Sequence, residues 1–224
     1  MTYRQIITRL KRMANARNVA GMARFGINTS HALGISVDDL RKLAREIGKD
    51  HELAHRLWTS GIHEARMLAA FVDEPERITS RQLDRWANDF DSWDICDQVS
   101  GLFERSPRGR ERIPTWAKSE REFVKRSAFA MIAGLAVHDK AADNREFEKF
   151  LSMIKRASTD DRNFVKKAVN WALRSIGKRN RSLNRRAIAV AKEIGSIDSK
   201  AARWIAADAL REMTSEKVWC RLHF

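Results

Sequence analysis

Helical periodicity runs along the whole chain, and little in the sequence interrupts it. Leu40, Leu43, Ala44 and Ile47 recur at three- and four-residue intervals, as do Val165, Ala168, Ala172 and Ile176, and then Ala187, Val190, Ala191 and Ile194. That spacing gathers them on one face of an α-helix. Only 10 Gly and 3 Pro occur in 224 residues, roughly half the usual share, so frequent tight turns are excluded. No segment reads as part of a strand array.

Local punctuation sharpens the helical reading. The three periodic segments close on similar phrases, Ala44-Arg-Glu-Ile-Gly48, Leu173-Arg-Ser-Ile-Gly177 and Ala191-Lys-Glu-Ile-Gly195. Each Gly is predicted to end its helix in the left-handed conformation, just after a basic residue suited to the negative helix pole. Starts are expected at Ser36, at Ser80 and within Ser158-Thr159-Asp160-Asp161. The pattern predicts about eleven or twelve helices of 10 to 18 residues on short links. With weak self-similarity and no linker, it points to one all-α domain over residues 1–224. The expected architecture is a curved superhelical stack of HEAT-like antiparallel helix pairs, with an ordinary compact bundle as the alternative. A curved stack would offer a concave face to a long polyanion.

With 43% hydrophobic residues the chain can bury a sizeable core, and intrinsic disorder is excluded. Its longest run of small and apolar residues, Ala128 to Val137, spans ten positions, well short of the roughly 20 that cross a bilayer. Met1-Thr2-Tyr3-Arg4 leads directly into an amphipathic pattern without the apolar stretch of a signal peptide. A cytoplasmic protein without a membrane partner is expected. Two cysteines cannot build a disulfide framework, and Cys96 falls inside a helical pattern, so reduced thiols are expected.

The formal charge is +14, and it is polarised. Residues 1–50 carry +6, 51–100 carry −5, 101–150 carry +3 and 151–224 carry +10. The densest stretch, Lys166 to Arg186, contains eight Lys and Arg, among them Lys166, Lys167, Arg174, Lys178 and Arg179, and no acid. Such a field attracts polyanions, whereas a merely solvated face usually mixes signs. A membrane surface is the weaker reading, because the neighbouring Trp and Ile residues look like core.

Four constellations could carry chemistry. His51-Glu52-Leu53-Ala54-His55 matches H-E-x-x-H, which on a helix sets two imidazoles one turn apart with a general base beside them. The longer metzincin form fails at Trp58 and Gly61, and only unspecific acids such as Glu64, Asp73 and Glu74 are available as a third ligand. No metal site is therefore expected, and His51 and His55 are read as ordinary helix-surface residues. Trp93 and Asp97 stand four apart, so a helix puts an aromatic plate beside a carboxylate, while Asp94 projects elsewhere and can cap the first turn. An acid cluster at a helix start around a core Trp explains the same spacing. An acid on a chain built to attract phosphates would, however, suit stabilisation of a developing cation. Lys167, Trp171, Arg174 and Lys178 form a basic stripe with an interleaved ring, opposite Val165, Ala168, Ala172 and Ile176. That composition suits nucleic acid, although half-buried core Trp residues are common. Arg126, embedded in Phe123-Val-Lys-Arg-Ser-Ala-Phe-Ala130, calls for a carboxylate or phosphate partner.

Taken together, Trp93 and Asp97 in Ser-Trp-x-x-x-Asp, Arg126 in Lys-Arg-Ser-Ala, and Trp171 in Phe-Val-Lys-Lys-Ala-Val-Asn-Trp-Ala-Leu-Arg resemble the AlkD-like DNA alkylation repair glycosylases. The likeness extends from Met22-Ala23-Arg24-Phe25 to the basic helices near the end. It implies HEAT-like repeats whose basic concave face holds duplex DNA containing alkylated purines, with excision of N7- and N3-alkylated purines to leave an abasic site. It further implies a monofunctional hydrolase acting as a monomer, without metal, cofactor or Lys nucleophile, and without enclosing a flipped base. By this resemblance Asp97 would be the catalytic carboxylate, Trp93 and Trp171 aromatic walls against the deoxyribose, and Arg126 a DNA-backbone contact. Phe25 stands where a Tyr is familiar, which removes any hydroxyl role there. A non-catalytic DNA-binding protein and a protein-interaction scaffold are the competing readings.

Overall fold

The computed structural model describes residues 1–223. Fourteen α-helices and two short 3-10 turns account for the regular structure, and no strand occurs among the described residues. The chain divides into two compact units, Met1–Gly109 and Arg110–Phe224. The first contains α1 (Tyr3–Arg12), α2 (Ala16–Ala23), α3 (Val37–Ile47), α4 (His51–Thr59), α5 (His63–Val72), α6 (Ser80–Asn88) and α7 (Trp93–Phe103). The second contains α8 (Ile113–Trp116), α9 (Glu122–His138), α10 (Asn144–Ala157), α11 (Asn163–Gly177), α12 (Arg181–Gly195), α13 (Lys200–Met213) and α14 (Glu216–His223). The helices beyond the expected eleven or twelve are short: α2 and α14 have 8 residues each and α8 has 4.

Caps explain several boundaries. Ser36 caps α3 as expected, its hydroxyl accepting from the Asp39 N–H at 3.2 Å, and Gly48 ends that helix with φ 82°. The start near Ser80 belongs instead to Thr79, whose side chain accepts from the Gln82 N–H. Ser158 closes α10 rather than opening a helix, and α11 begins after Arg162. Gly177 and Gly195 are the last residues of α11 and α12 and do not have positive φ. Their small size has a packing cause. A Cβ on Gly177 would lie 2.1 Å from Met213 Sδ and 3.3 Å from Ala187 Cβ, and one on Gly195 would lie 3.3 Å from Ala206 Cβ.

In the first unit α5 packs against α3, α4 and α7, so it is the element that fixes where α7 sits. Its core includes Leu40, Leu57, Leu68 and Phe103, and the rings of Trp58 and Trp86 stack at 4.1 Å, 2° from parallel. In the second unit α9 is buried on most sides, from Arg126 to Ala136, and packs along α11. That accounts for the long apolar run, since a helix apolar all round belongs inside a protein or a membrane. No helix among the described residues is long and apolar enough to cross a membrane. Each fully buried Leu or Phe of these cores contributes about 1.5–3 kcal/mol.

Candidate functional site

The start of α7 is docked on a preceding loop by three polar contacts. Ser92, the N-cap, accepts the Asn28 N–H through its hydroxyl at 2.8 Å instead of capping its own helix. Asn28 Nδ2 donates to Asp91 Oδ2 at 3.0 Å, and the indole N–H of Trp93 donates to the Phe25 carbonyl at 3.0 Å. The last bond fixes the plane of the Trp93 ring, which is half-buried and borders a recess of about 570 Å³ shared with Met22, Phe25 and Ile27. Asp97 is also half-buried and follows one turn later on the same helix. The Phe25 ring is 70% exposed.

Asp94 projects away from that face, as its spacing implies. One carboxylate oxygen accepts the Ile95 N–H at 2.9 Å and the other meets His63 Nε2 at 2.9 Å. Burial pushes the His63 imidazole down, but the hydrogen bond and charge of Asp94, with Glu64 and Asp91 nearby, outweigh it and hold its pKa above the ordinary histidine value. The next residue, Glu64, is 1% exposed and accepts the backbone N–H groups of Leu33, Gly34 and Ile35 at 2.8, 2.6 and 3.3 Å. Two consecutive residues of α5 thus hold α7 on one side and the loop before α3 on the other. Sequence reasoning passed over both in this role. The available signal was an acid at Glu64 with Leu68 and Val72 four and eight residues on, where the period demands apolar side chains.

The second unit holds the other expected residues. Arg126 is buried at 6% exposure and donates to the Phe164 carbonyl at 2.6 Å, so its partner includes the backbone at the start of α11. Trp171 is half-buried on α11, and Lys167 is exposed on the same helix. The remaining basic residues are engaged more than their acid-free stretch suggested. Arg174 and Lys178 both pair with Glu212 of α13, and Arg174 also approaches Asp208 at 3.7 Å. Burial raises the Glu212 pKa, but these two cations outweigh it and keep it below the usual carboxylate range. Lys166 lies 5.1 Å from the centre of the Trp204 ring. Arg179 donates to the Ala136 and Ala142 carbonyls at 3.1 and 3.0 Å and sits over the Phe147 ring at 4.4 Å. Linear charge counting does not see acids that another helix brings alongside. The structure therefore places Trp93, Asp97 and Phe25 around the start of α7 in one unit, and Arg126 and Trp171 on adjoining helices of the other.

The two histidines of the H-E-x-x-H match correct an expectation. His51 is buried, not a surface residue: its Nδ1 meets Asp73 at 2.6 Å, and Asp73, 0% exposed, also accepts from Gln82 Nε2 at 2.6 Å and from the Glu74 N–H at 2.8 Å. His55 Nε2 lies 3.3 Å from His51 Nε2. Among the described residues no group of three His, Cys, Asp or Glu side chains is placed to hold a metal ion. The network ties α4 to the end of α5 and the start of α6.

The model of the DNA alkylation repair enzyme family matches residues 6–213. The chain belongs to that family. An uncharacterized protein of Listeria monocytogenes is 23% identical to this repair-family chain over 203 residues, covering 88% of each, and an uncharacterized protein of Listeria innocua is equally similar over the same span. A solved structure, described as a new family of proteins related to the HEAT-like repeat DNA glycosylases with affinity for branched DNA structures, superposes with a TM-score of 0.79 at 20% identity. It covers 94% of this chain and 95% of that one. The family member described here is thus an all-α, HEAT-like repeat protein, as its periodicity implied. Within it, a half-buried carboxylate beside a ring of fixed orientation can stabilise a cation presented from solvent.

Proposed function

We propose that this DNA alkylation repair enzyme hydrolyses the N-glycosidic bond of cationic N7- and N3-alkylated purines in duplex DNA, leaving an abasic site. The observation that carries the reading is the start of α7, where Asp97 stands one turn from a Trp93 ring pinned through its N–H to the Phe25 carbonyl. Alkylation places a positive charge on the base, so the carbon–nitrogen bond breaks with both electrons going to the base, which departs neutral. Positive charge develops on the deoxyribose. Asp97 stabilises it electrostatically and orients the water that attacks C1′, whose proton passes to the carboxylate or to solvent. The Trp93 ring offers its electron-rich face to the same cation. The exposed Phe25 ring contacts DNA from the adjoining loop. Trp171 and Arg126 enter by family resemblance, Trp171 as an aromatic wall and Arg126 as a backbone contact, with exposed Lys167 adding charge for the phosphates. The ion pairs and hydrogen bonds of Arg174, Lys178 and Arg179, and the ring contact of Lys166, leave them a weaker part in holding DNA than their number in the sequence implied.

Release of 7-methylguanine from methylated duplex, followed chromatographically, tests this. Asp97→Asn is expected to abolish release while duplex affinity survives, and equal activity in the variant would remove Asp97 from the chemistry. Trp171→Ala is expected to lower both excision and affinity. A second reading, a DNA-binding protein without excision, is favoured by the description of the solved relative as having affinity for branched DNA. It predicts tight binding to a four-way junction and no base release from any alkylated substrate.

A further inference from the structure

The first unit contains a basic recess that the sequence does not reveal, because its cations come from segments more than fifty residues apart. Its volume is about 680 Å³, and it lies at the ends of α3 and α5 and just beyond α7. Arg41 and Arg45 reach it from successive turns of α3, Lys49 follows the Gly48 cap, and Arg105 follows α7. Arg41, Arg45, Lys49 and Arg105 are all exposed, and none makes an ion pair among the described residues. Elsewhere in the same chain Arg9, Arg77, Arg110, Arg162 and Arg174 each hold a carboxylate.

Two acids, Glu74 and Glu76, also border the recess, against four cations. Glu74 is committed to the His51 N–H at 3.1 Å and to Arg77 at 3.3 Å, and Glu76 is exposed at the rim. The α3 and α5 helix ends explain part of the charge: Lys49 Nζ donates to the Phe71 and Asp73 carbonyls at 3.0 and 2.7 Å, and Arg45 suits the last turn of α3. They do not explain Arg105, or Arg41, whose guanidinium lies 5.7 Å from the Phe71 ring centre and donates to Gln98 of α7 at 3.2 Å. Burial, and after it the charge of Arg105, holds the Lys49 pKa below the ordinary lysine value against the opposing charges of Asp73, Glu76 and Glu74.

We propose that this recess binds a backbone phosphate of the DNA. The inference rests on the DNA-binding part of the proposed function and adds a site to it. Gln98, which Arg41 contacts at 3.2 Å, directly follows Asp97, and α7 continues six residues past Asp97, roughly 9 Å of rise, before Arg105 follows its end. Guanidinium groups with free N–H forks are the residues that phosphate oxygens recognise.

The test is the double variant Arg45→Ala, Arg105→Ala, whose exposed side chains make no hydrogen bond or ion pair among the described residues. Duplex affinity measured at several salt concentrations should fall roughly tenfold or more near physiological salt, and the slope of log K against log salt should become shallower by about 1. The single-turnover excision rate at saturating protein should stay at the wild-type value. A control, Lys140→Ala, Lys217→Ala, removes two exposed charges of the other unit and should change the slope by less. Equal slopes and affinities for the recess variant and wild type, or a control effect as large as its own, would overturn the site while leaving the proposed activity standing. A wild-type protein without duplex affinity would overturn both. Inorganic phosphate titrated into the wild type separates the sources: a tight phosphate-induced stabilisation, lost in the recess variant while duplex binding is unchanged, would reassign the recess to a small anion.

Discussion

Asp160 shows at the scale of one side chain how this basic protein disposes of its charges. Its carboxylate receives Lys125 at 2.8 Å and Arg162 at 2.6 Å, joining the start of α9 to the loop before α11. Burial would raise its pKa, yet the two cations pull it down to about 2. A carboxyl lowered on folding stabilises the fold above its unfolded value of about 3.8, and that stabilisation disappears as pH falls through about 2. Asp160→Asn should therefore lower unfolding free energy at pH 7 by about 1–2 kcal/mol, with the difference from wild type closing between pH 4 and pH 2 in urea melts. The same residue measures what local reading of a sequence misses. It stands in a stretch that looks like a helix start, because Ser, Thr and Asp favour such positions. Its actual partners lie 35 residues upstream, at Lys125, and two downstream, at Arg162.

At the scale of elements, α5 is the link between core and site. His63 holds the start of α7 through Asp94, and Glu64 holds three successive backbone N–H groups of the loop before α3. Removing the Glu64 carboxylate strands those donors, each at a cost of about 1–3 kcal/mol unless water reaches it. Glu64→Ala should destabilise the protein by about 2–4 kcal/mol in a denaturant titration. Hydrogen exchange should show the amides of Leu33 to Ile35 losing protection before those of α9. Helix existence and faces were legible because amphipathic period and caps are local signals, as at Ser36 and Gly48. Gly177 and Gly195 were misread because their cause is a contact with α12 or α13, not the conformation of their own backbone.

For the whole molecule, the all-α architecture was readable from the scarcity of Gly and Pro and from a period sustained over most of 224 residues. Of the candidate site, the Trp93–Asp97 pair was readable because it lies on one helix. The Phe25 carbonyl, the His63–Asp94 pair and the Arg41 to Arg105 recess were not, since each joins elements that only packing brings together. The cysteines give a whole-molecule check. Cys220 is exposed and Cys96 is buried, so a thiol reagent should titrate one equivalent quickly in the native protein and two after unfolding. Two fast equivalents in the native state would contradict this packing.

Cys96 has a further use through its position. It is 0% exposed on α7 and directly precedes Asp97, so a reagent reaches its sulfur only when that helix opens. Its slow labelling rate, divided by that of a freely accessible thiol, gives the equilibrium constant for opening. The native sequence therefore carries its own gauge of how firmly the carboxylate is held, readable with and without DNA and with no cysteine introduced.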